Sequence, residues 1–467
     1  MDGQAIAARV VARLRGLSRR EFRAIVERAR GESLRYGVTY QPEGEPVQAT
    51  DLVLAPMVLS REDFAALRSV AVTLQSIAAR LPAWREAIPS VRRLLPLSAD
   101  EEGWFRDCFT AAVRRTHRVI GRWDVNIERS AGRRRILLYE GNGVAIGGLN
   151  YGPAAERIVS GIANGLRRGD GGRGPRLRPM GDLAATLFRF LRDHAARVGR
   201  PFRTLAWLED KTWDAGITEA PYVLEALARF GVRTFLADPR DLRVRRGDVV
   251  HRNDPVDLIY RNIELRDIAA LERDHGRLDG MRLAFQRDQV VSSLAGELDH
   301  KSLLEVLTLP DVLARLSPVQ RRVVRSCVPW TRLLTERRCA GPDGRPVDLV
   351  EFTRRRRGRL VLKPNRECGG DGVTIGPAVT QAVWERTLRG AMRREGTWVV
   401  QAHVRPFRVP SPTAGPGGVA VRSLYANCGV IALPGGTGIL GRASRAPVVN
   451  VARGGGLLAI LRVAGDT

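Results

Sequence analysis

The chain has 467 residues, of which 44% are hydrophobic and 27% charged, as is typical of a folded globular protein. No apolar run reaches the roughly twenty residues of a membrane span, and the arginine-rich residues 1–31 contain acidic side chains and no apolar signal core. The net charge is +26, but the basic residues are scattered and aromatic residues make up only 6%. This pattern disfavours a dedicated nucleic-acid function.

Predicted secondary structure divides the chain into four parts. Residues 1–115 are mostly helical, because apolar residues recur there at helical spacing. Residues 116–200 contain two strands joined by a turn, and two helices follow them. The predicted bounds are 123–127 and 135–139 for the strands, 130–132 for the turn, and 153–166 and 182–198 for the helices.

The second half of the chain is also mixed. Residues 201–290 alternate strands with helices, beginning with a strand at 204–208, a helix at 219–230 and a strand at 233–237. This βαβ pattern predicts a parallel sheet, but no GxGxxG follows the first strand, so dinucleotide binding is not expected. Residues 291–467 carry strands at 360–363 and 398–403, and glycine loops at 367–376, 435–441 and 454–456.

Cysteine and histidine do not form metal-ligand patterns in this sequence. The cysteines are odd in number and far apart, and no CxxC pair occurs among Cys108, Cys327, Cys339, Cys368 and Cys428. Neither a structural zinc site nor a disulfide framework is expected, and the chain fits a reducing cytoplasm.

Lysine is rare and therefore informative. Of 76 basic residues, only Lys211, Lys301 and Lys363 are lysines. Where arginine supplies general positive charge, a retained lysine indicates a need for a compact ammonium group on a flexible stem. The alternative is that three lysines survived by chance, so their positions must decide.

Lys363 stands at the end of an apolar stretch and is followed by Gly369, Gly370 and Gly372. Glycines let the backbone approach a phosphate, their N–H groups form anion-binding nests, and lysine supplies a point charge. No GK[ST] pair follows, so this is not a Walker A motif. The alternative is a tight hairpin with an ordinary surface lysine. A second apolar strand ends in Gln401-Ala-His-Val404, which suits an adenine edge but is also common in protein cores.

An acidic constellation lies upstream of the lysines. Arg122-Trp-Asp124 is followed by Glu140-Gly-Asn142, and residues two apart on an extended segment share a face. Carboxylate and amide oxygens are ligands that suit Mg²⁺. The alternative is a surface hairpin with turn-forming Asp and Asn.

These motifs together resemble the circularly permuted ATP-grasp ligases, a group related to the synthetase domain of glutathionylspermidine synthase. In that family an Arg-x-Asp strand and a Glu-x-Asn strand precede the nucleotide lysines. The resemblance covers about residues 118–460 in separate blocks, in the family's order, which is more specific than any single motif. The matching blocks are Arg122-Trp-Asp124, Glu140-Gly-Asn142, the stretch 219–232, Val256-Asp-Leu-Ile-Tyr-Arg261, Asp299-His-Lys301, Lys363-Pro, Gly369-Gly-Asp-Gly-Val373, Gln401-Ala-His-Val404, Pro410-Ser-Pro-Thr413, Gly441-Arg442 and Val448-Val-Asn450.

The resemblance implies an α+β chain with a circularly permuted ATP-grasp fold. Its nucleotide lobes would lie at 291–467 and its metal-ligand part at 116–200, with a Rossmann-like domain at 201–290 and a helical region at 1–115. The implied activity is ATP- and Mg²⁺-dependent ligation of a carboxylate to an amine through an acyl phosphate. The substrates would be small molecules or peptides, and neither a specific nucleic acid nor a membrane is an expected partner.

The resemblance also implies roles for individual residues. The nucleotide would be held by Lys301, Lys363, Gly369, Gly370, Gly372, Val373, Gln401 and Val404. The magnesium ligands would be Asp124, Glu140 and Asn142, and the catalytic arginines would be Arg122 and Arg442. Lys211 matches no motif and is interpreted as a solvated loop residue, and Cys368 as a small residue within the phosphate loop.

The chain departs from the family at segments expected to contact the acceptor. The family's GGGSKDTWVL reads Gly454-Gly-Gly-Leu-Leu-Ala-Ile-Leu461 here and lacks its Lys and Asp, and YRR reads Tyr260-Arg-Asn262. These departures leave open a nucleotide-binding or scaffold protein without turnover, and a basic polyanion binder is a third hypothesis. The identity of the acid and the amine, and the oligomeric state, do not follow from the sequence.

Overall fold

The computed structural model describes residues 3–130, 133–169, 171–172, 174–213, 215–367, 369–449 and 455–464. Within these residues the chain is a mixed α+β protein with several separate sheets. None of the helices in this described part combines the length and the apolar character that a membrane span requires.

The N-terminal region is mostly helical, as predicted, and also contains three short strands. Helices α2, α3 and α6 each begin after a serine whose side chain accepts a backbone N–H of the first turn, which fixes where they start. The elements are α1 Gly3–Arg15, α2 Arg19–Arg35, β1 Thr39–Gln41, β2 Gln48–Ala49, β3 Leu52–Val58, α3 Arg61–Ala78, α4 Leu81–Ala87, α5 Pro89–Leu94, α6 Ala99–Cys108 and α7 Ala111–Thr116.

A long antiparallel hairpin comes next, and it confirms the two strands predicted there. Both strands extend further than predicted, and residues 131 and 132 of the predicted turn lie outside the described residues. The elements are β4 Arg122–Ser130, β5 Arg133–Asn142, α8 Tyr151–Gly169, β6 Leu177–Pro179 and α9 Leu183–Arg197.

The predicted βαβ pattern is present as a parallel four-stranded sheet in the order β14-β13-β7-β9. A small antiparallel sheet, β10-β11-β12, lies in the same part of the chain, and β8 pairs with β1 of the N-terminal region. The elements are β7 Thr204–Leu208, β8 Gly216–Ile217, α10 Ala220–Ala228, β9 Arg233–Ala237, β10 Leu242–Arg245, β11 Asp248–His251, β12 Asp254–Pro255, β13 Leu258–Arg261, α11 Leu265–His275, α12 Asp279–Gln286 and β14 Val290–Val291.

The remainder of the chain contains short helices and ten strands among its described residues. The strands predicted at 360–363 and 398–403 are present. The elements are α13 Leu303–Val306, α14 Pro310–Leu313, α15 Pro318–Cys327, β15 Thr331–Leu333, β16 Arg338–Ala340, β17 Pro346–Asp348, α16 Leu349–Arg355, β18 Leu360–Pro364, β19 Thr374–Ile375, α17 Gln381–Met392, β20 Trp398–Ala402, β21 Phe407–Gly415, β22 Gly418–Leu433, β23 Gly436–Ser444 and β24 Gly456–Val463.

The glycine loop predicted at 435–441 is wrong for most of its length, because β23 begins at Gly436 directly after a turn. Glycine is accommodated inside this strand by close packing. A Cβ on Gly441 would lie 2.1 Å from the carbonyl oxygen of Leu458 on β24, which no side chain could occupy. Of the glycines predicted at 454–456, Gly454 lies outside the described residues and Gly456 begins β24.

An eight-stranded sheet joins parts of the chain that are far apart in sequence. Its order is β3-β24-β23-β22-β4-β5, with β21 beside β22 and β6 beside β24. A second, antiparallel sheet has the order β15-β20-β18-β19 and carries the 360–363 strand. One hydrophobic cluster contains Leu74 of α3, Trp123 of β4, Val399 of β20 and Val430 of β22, so the two sheets share a core.

A buried ion pair ties the parallel sheet to the segment that leads to Lys301. Arg261, at the end of β13, is fully buried and donates to Glu297, which is itself only 3% exposed. The same guanidinium donates to the carbonyl oxygens of Ser292 and Ser293 at 3.0 and 3.1 Å. Because both charges are out of water, each depends on the other for compensation.

We expect Arg261→Met to lower the free energy of unfolding by about 3–5 kcal/mol, because the carboxylate of Glu297 would stay buried without its main cation. The double variant Arg261→Met/Glu297→Gln removes the stranded charge and should lose clearly less. Urea unfolding followed by tryptophan fluorescence measures both. Equal losses in the single and the double variant would contradict this account.

Candidate active site

The β4–β5 hairpin places four polar residues on one face. Asp124 lies opposite Glu140, and Arg122 lies opposite Asn142. Residues two apart on a strand point to the same side, so all four side chains share a face, in agreement with the spacing argued from the sequence. The register shifts directly after Asp124, which leaves Tyr139 as the additional residue of a β-bulge.

Asp124 is held by two arginines. Its carboxylate accepts bonds from Nε and Nη2 of Arg122 at 2.8 and 3.2 Å, and from Nη2 of Arg442 at 2.6 Å. Burial raises the pKa of Asp124, but the two guanidinium groups outweigh it and bring the pKa to about 2. The carboxylate is therefore ionised at neutral pH and fixes the two predicted catalytic arginines beside each other.

Glu140 is balanced by the two predicted nucleotide lysines. Its Oε2 lies 3.4 Å from Nζ of Lys301, and the side chain is 27% exposed. Burial raises the pKa of Glu140 and the neighbouring charge of Asp124 adds to this, but Lys301 and Lys363 outweigh both and hold the pKa below its ordinary value. Two carboxylates directly opposite on paired strands destabilise the pairing, so these lysines also stabilise the hairpin.

Lys363 reaches the site from β18 of the second sheet and is only 7% exposed. Its Nζ donates to the carbonyl oxygen of Tyr139 at 3.2 Å and lies 5.9 Å from the centre of the Tyr139 ring. Nε2 of Gln401, on β20, donates to the same carbonyl at 3.4 Å. The bulge thus turns one peptide oxygen towards two residues that the sequence predicts to hold a nucleotide. Burial lowers the pKa of Lys363 to about 8, although Glu140 acts in the opposite direction.

The glycine loop after β18 adopts the backbone conformation for which glycine is suited. Gly369, Gly370 and Gly372 have φ values of 68°, 77° and 67°. A Cβ on Gly370 would lie 2.6 Å from the side chain of Val448, so the loop packs closely against the segment that follows β23. Cys368 and Asn450, which the sequence analysis also singled out, lie outside the described residues.

The predicted site residues surround one cavity of about 490 Å³. Gly372 does not line it; a Cβ there would lie 2.7 Å from the ring of Pro364. All the other predicted site residues line the cavity: Arg122, Asp124, Glu140, Asn142, Lys301, Lys363, Gly369, Gly370, Val373, Gln401, Val404 and Arg442. Lys211 does not line the cavity; its side chain is 53% exposed and pairs with Asp241 at 2.8 Å.

Several cavity residues have no counterpart in the sequence argument. Arg366 lines the cavity next to the glycine loop and is held by a bidentate bond to Glu101 of α6, with distances of 2.7 and 2.5 Å. Tyr40 of β1 and Ile217 of β8 line the cavity as well. The pairing of β1 with β8 joins two segments with no shared sequence signal, so only the three-dimensional structure brings these residues to the site.

The oxygen atoms on the hairpin differ in how well they suit a metal. The amide nitrogen of Asn142 donates to the carbonyl oxygen of Arg122 at 3.3 Å, which leaves the amide oxygen for a ligand, and Glu140 is partly exposed to the cavity. Both carboxylate oxygens of Asp124 are instead engaged by arginine. Among the described residues, no group of three or more His, Cys, Asp and Glu side chains is arranged to hold a metal ion. A divalent cation here would therefore need phosphate oxygens or water in addition to Glu140 and Asn142.

The fold is similar to that of a solved glutathione synthetase-like protein. A glutathione synthetase-like effector from Globodera pallida superposes with a TM-score of 0.64, at 11% sequence identity, over 94% of this chain and 96% of that one.

A second solved structure, a putative γ-glutamylcysteine synthetase from Methylobacillus flagellatus, has a TM-score of 0.38 at 13% identity, over 86% of this chain and 89% of that one. No protein-family model matches the chain, and no curated protein sequence matches it.

The pKa of Lys363 gives a direct test of the geometry of the site. Because the carboxylate of Glu140 favours the ammonium form, Glu140→Gln should lower the pKa of Lys363 further below 8. The chain has three lysines, so ¹³C-labelled lysine gives three ε-carbon signals to follow by NMR during a pH titration, and Lys363→Arg assigns the relevant one.

Glu128→Gln is the matched control, because Glu128 lies on the same hairpin and pairs with Arg135 at 4.0 Å. It should leave the titration of Lys363 nearly unchanged. An identical titration in the Glu140→Gln variant and in the unmodified chain would mean that Glu140 does not face Lys363.

Proposed function

We propose that the chain is a circularly permuted ATP-grasp ligase that uses ATP and Mg²⁺ to join a carboxylate to an amine. The observation that carries this proposal is the convergence of two buried lysines, from separate parts of the chain, on one carboxylate beside a glycine loop. On the hairpin face four cations, two lysines and two arginines, surround two carboxylates, and this local group of positive charge suits a polyphosphate ligand. The glutathione synthetase-like fold agrees with the proposal.

In the proposed complex, Lys301, Lys363 and the loop 369–373 contact the nucleotide phosphates. Gln401 and Val404 line the adenine pocket, because β20 runs beside β18 and delivers both to the same cavity. The bond between Gln401 and the Tyr139 carbonyl fixes the orientation of its amide before any ligand binds. Such preformed positioning reduces the ordering that binding would otherwise require.

Glu140 and Asn142 are the proposed protein ligands of Mg²⁺. Bound Mg²⁺ would neutralise phosphate charge and orient the phosphate oxygens. Asp124 could bind Mg²⁺ only if one of its hydrogen bonds to arginine were broken. Its main proposed role is therefore to hold Arg122 and Arg442 in place.

The proposed reaction has two steps. A carboxylate oxygen of the acid substrate attacks the γ-phosphorus of ATP, the bond to the β-phosphate oxygen breaks, and ADP leaves with that electron pair. The amine nitrogen then attacks the carbonyl carbon of the acyl phosphate, phosphate departs, and the nitrogen loses a proton. The proposed role of Arg122 and Arg442 is to stabilise the charge on the transferred phosphoryl group, and the positioning of the substrates supplies the rest of the rate enhancement.

A nucleotide-binding protein without turnover is the second candidate. The observation that favours it is that Leu458 and Ala459, which stand where the resembling family has Lys and Asp, are each 1% exposed in the core of β24. The segment is therefore part of the sheet, and Leu457 beside it presents an apolar side chain to the cavity.

Replacing Lys363 by Ala should weaken ATP binding by about 10–100-fold, because a charge-assisted hydrogen bond contributes about 1.5–3 kcal/mol. Isothermal titration calorimetry with Mg²⁺ and ATP measures the effect. Lys211→Ala is the matched control, since Lys211 is an exposed lysine paired with Asp241, and it should bind ATP as the unmodified chain does. Equal affinity in the two variants would refute the proposed phosphate contact.

Replacing Glu140 by Gln separates the two candidate functions. A ligase should release ADP when an acid and an amine are supplied together, and the variant should lose this turnover by about 100-fold or more. A non-catalytic protein should show no turnover before or after the change, and ATP should raise its melting temperature equally in both forms. Absence of Mg²⁺-dependent ADP release over a broad panel of acids and amines would eliminate the ligase.

The affinity for ATP should also fall as the pH rises through 8. Lys363 carries its charge below its pKa of about 8 and loses it above, so an interaction with phosphate is strongest below pH 8 and weakens above it. We expect about a tenfold loss between pH 7 and pH 9. Lys363→Arg keeps its charge throughout this range and should show a flatter profile, which also corrects for titration of ATP itself.

A further inference from the structure

Part of the wall of the site cavity is apolar. Tyr40 of β1 and Ile217 of β8 are direct partners across the two strands, so their side chains lie on the same face, and both line the cavity. Ile217 is 53% exposed, although it is a large apolar side chain in a strand. Exposed apolar surface inside a binding cavity indicates contact with a ligand.

This wall begins next to the proposed catalytic arginine. Gly147 lies between the two: a Cβ added to it would be 2.9 Å from Cδ1 of Ile217 and 3.9 Å from Nη1 of Arg122. The carbonyl oxygen of Gly147 accepts a bond from Arg122 at 3.0 Å. A group that contacts the guanidinium of Arg122 is therefore within reach of the side chain of Ile217.

The wall is held in place from behind. The hydroxyl of Tyr151 donates to the carbonyl oxygen of Thr39 and accepts from the backbone N–H of Thr218 at 3.3 Å, so it links β1 to the residue that follows β8. The buried carboxylate of Glu219 accepts from the backbone N–H groups of Gly148 and Asn150 at 2.9 and 3.0 Å. These bonds fix β1, β8 and the loop that contains Gly147, so the apolar surface is present before a ligand binds.

We propose that Tyr40 and Ile217 bind an apolar side chain of the carboxylate substrate. This rests on the proposed function, in which Arg122 and Arg442 stabilise the transferred phosphoryl group, so the carboxylate that receives that group lies near them. The acid then carries an apolar substituent close to its carboxylate, as a hydrophobic amino acid does, either free or at the carboxyl end of a peptide. A polar side chain placed against Ile217 would lose water without gaining a hydrogen bond from it. The N-terminal region, which supplies Tyr40, thereby takes part in substrate choice.

The test is direct binding, measured with Mg²⁺ and a non-hydrolysable ATP analogue. Leucine and phenylalanine are compared with serine and aspartate, both as free amino acids and as the last residue of a dipeptide. We expect the apolar acids to bind about tenfold or more tightly than the polar ones, the range typical of a hydrophobic pocket. Comparison of the free amino acids with the dipeptides shows whether the site takes a single amino acid or the carboxyl end of a peptide.

Ile217→Asn should abolish this preference and leave the affinity for the ATP analogue unchanged. Val319→Asn is the matched control, because Val319 is 60% exposed on α15 and does not line the cavity. Tyr40→Phe should keep the preference and Tyr40→Ser should weaken it, which provides a second pair if Ile217→Asn folds poorly. Equal binding of polar and apolar acids by the unmodified chain, or a preference that survives both Ile217→Asn and Tyr40→Ser, would overturn the inference.

ADP release is assayed separately. If no acid and amine pair releases ADP, yet apolar acids still bind more tightly than polar ones and Ile217→Asn abolishes that preference, the proposed ligation fails and the apolar acid site stands. If ADP is released equally well with polar and apolar acids, the ligation stands and the apolar acid site fails.

Discussion

The site depends on two carboxylates that face each other across paired strands. Asp124 and Glu140 are direct partners across the two strands and would repel each other. The hairpin is stable because each carboxylate has its own pair of cations. Arg122 and Arg442 neutralise the first, while Lys301 and Lys363 neutralise the second. The cations come from four separate segments, so the charge balance that stabilises the hairpin also assembles the cavity.

The N-terminal region contributes to this assembly although no functional motif lies in it. Glu101 of α6 holds Arg366 at the start of the glycine loop, and β1 carries Tyr40 to the cavity wall. Its strand β3 is part of the large sheet, beside β24. A region that the sequence describes only as helical is therefore structurally continuous with the site. Its positioning bonds are salt bridges and backbone contacts, which leave no periodic signature in a sequence.

Much of the local structure could be predicted from the sequence, because it follows from short-range patterns. The strand at Trp123 alternates apolar and polar residues, the strand at Leu360 is an apolar run, and the structure has strands at both. The bulge at Tyr139 could not be predicted, since it arises from the register between two strands. The same holds for the β1–β8 pairing, and for Gly438 and Gly441, whose presence in a strand reflects packing against Leu183 and Leu458. The sequence also does not show which oppositely charged residues contact each other, because their contacts are set by the fold.

The order of strands in the large sheet has a consequence for synthesis and folding. Asp124 on β4 lies opposite Gly429 on β22, and Leu52 on β3 opposite Leu457 on β24. Pairings that span roughly 300 residues or more close very long loops, whose entropy opposes their formation until the neighbouring strands are present. The β4–β5 hairpin therefore leaves the ribosome well before the strands that cover it, with its edge unpaired and its acidic pair incompletely neutralised. The slow step of folding should be the late addition of strands β22, β23 and β24 to the hairpin. Partly synthesised chains should be prone to associate through the unpaired edge of β4.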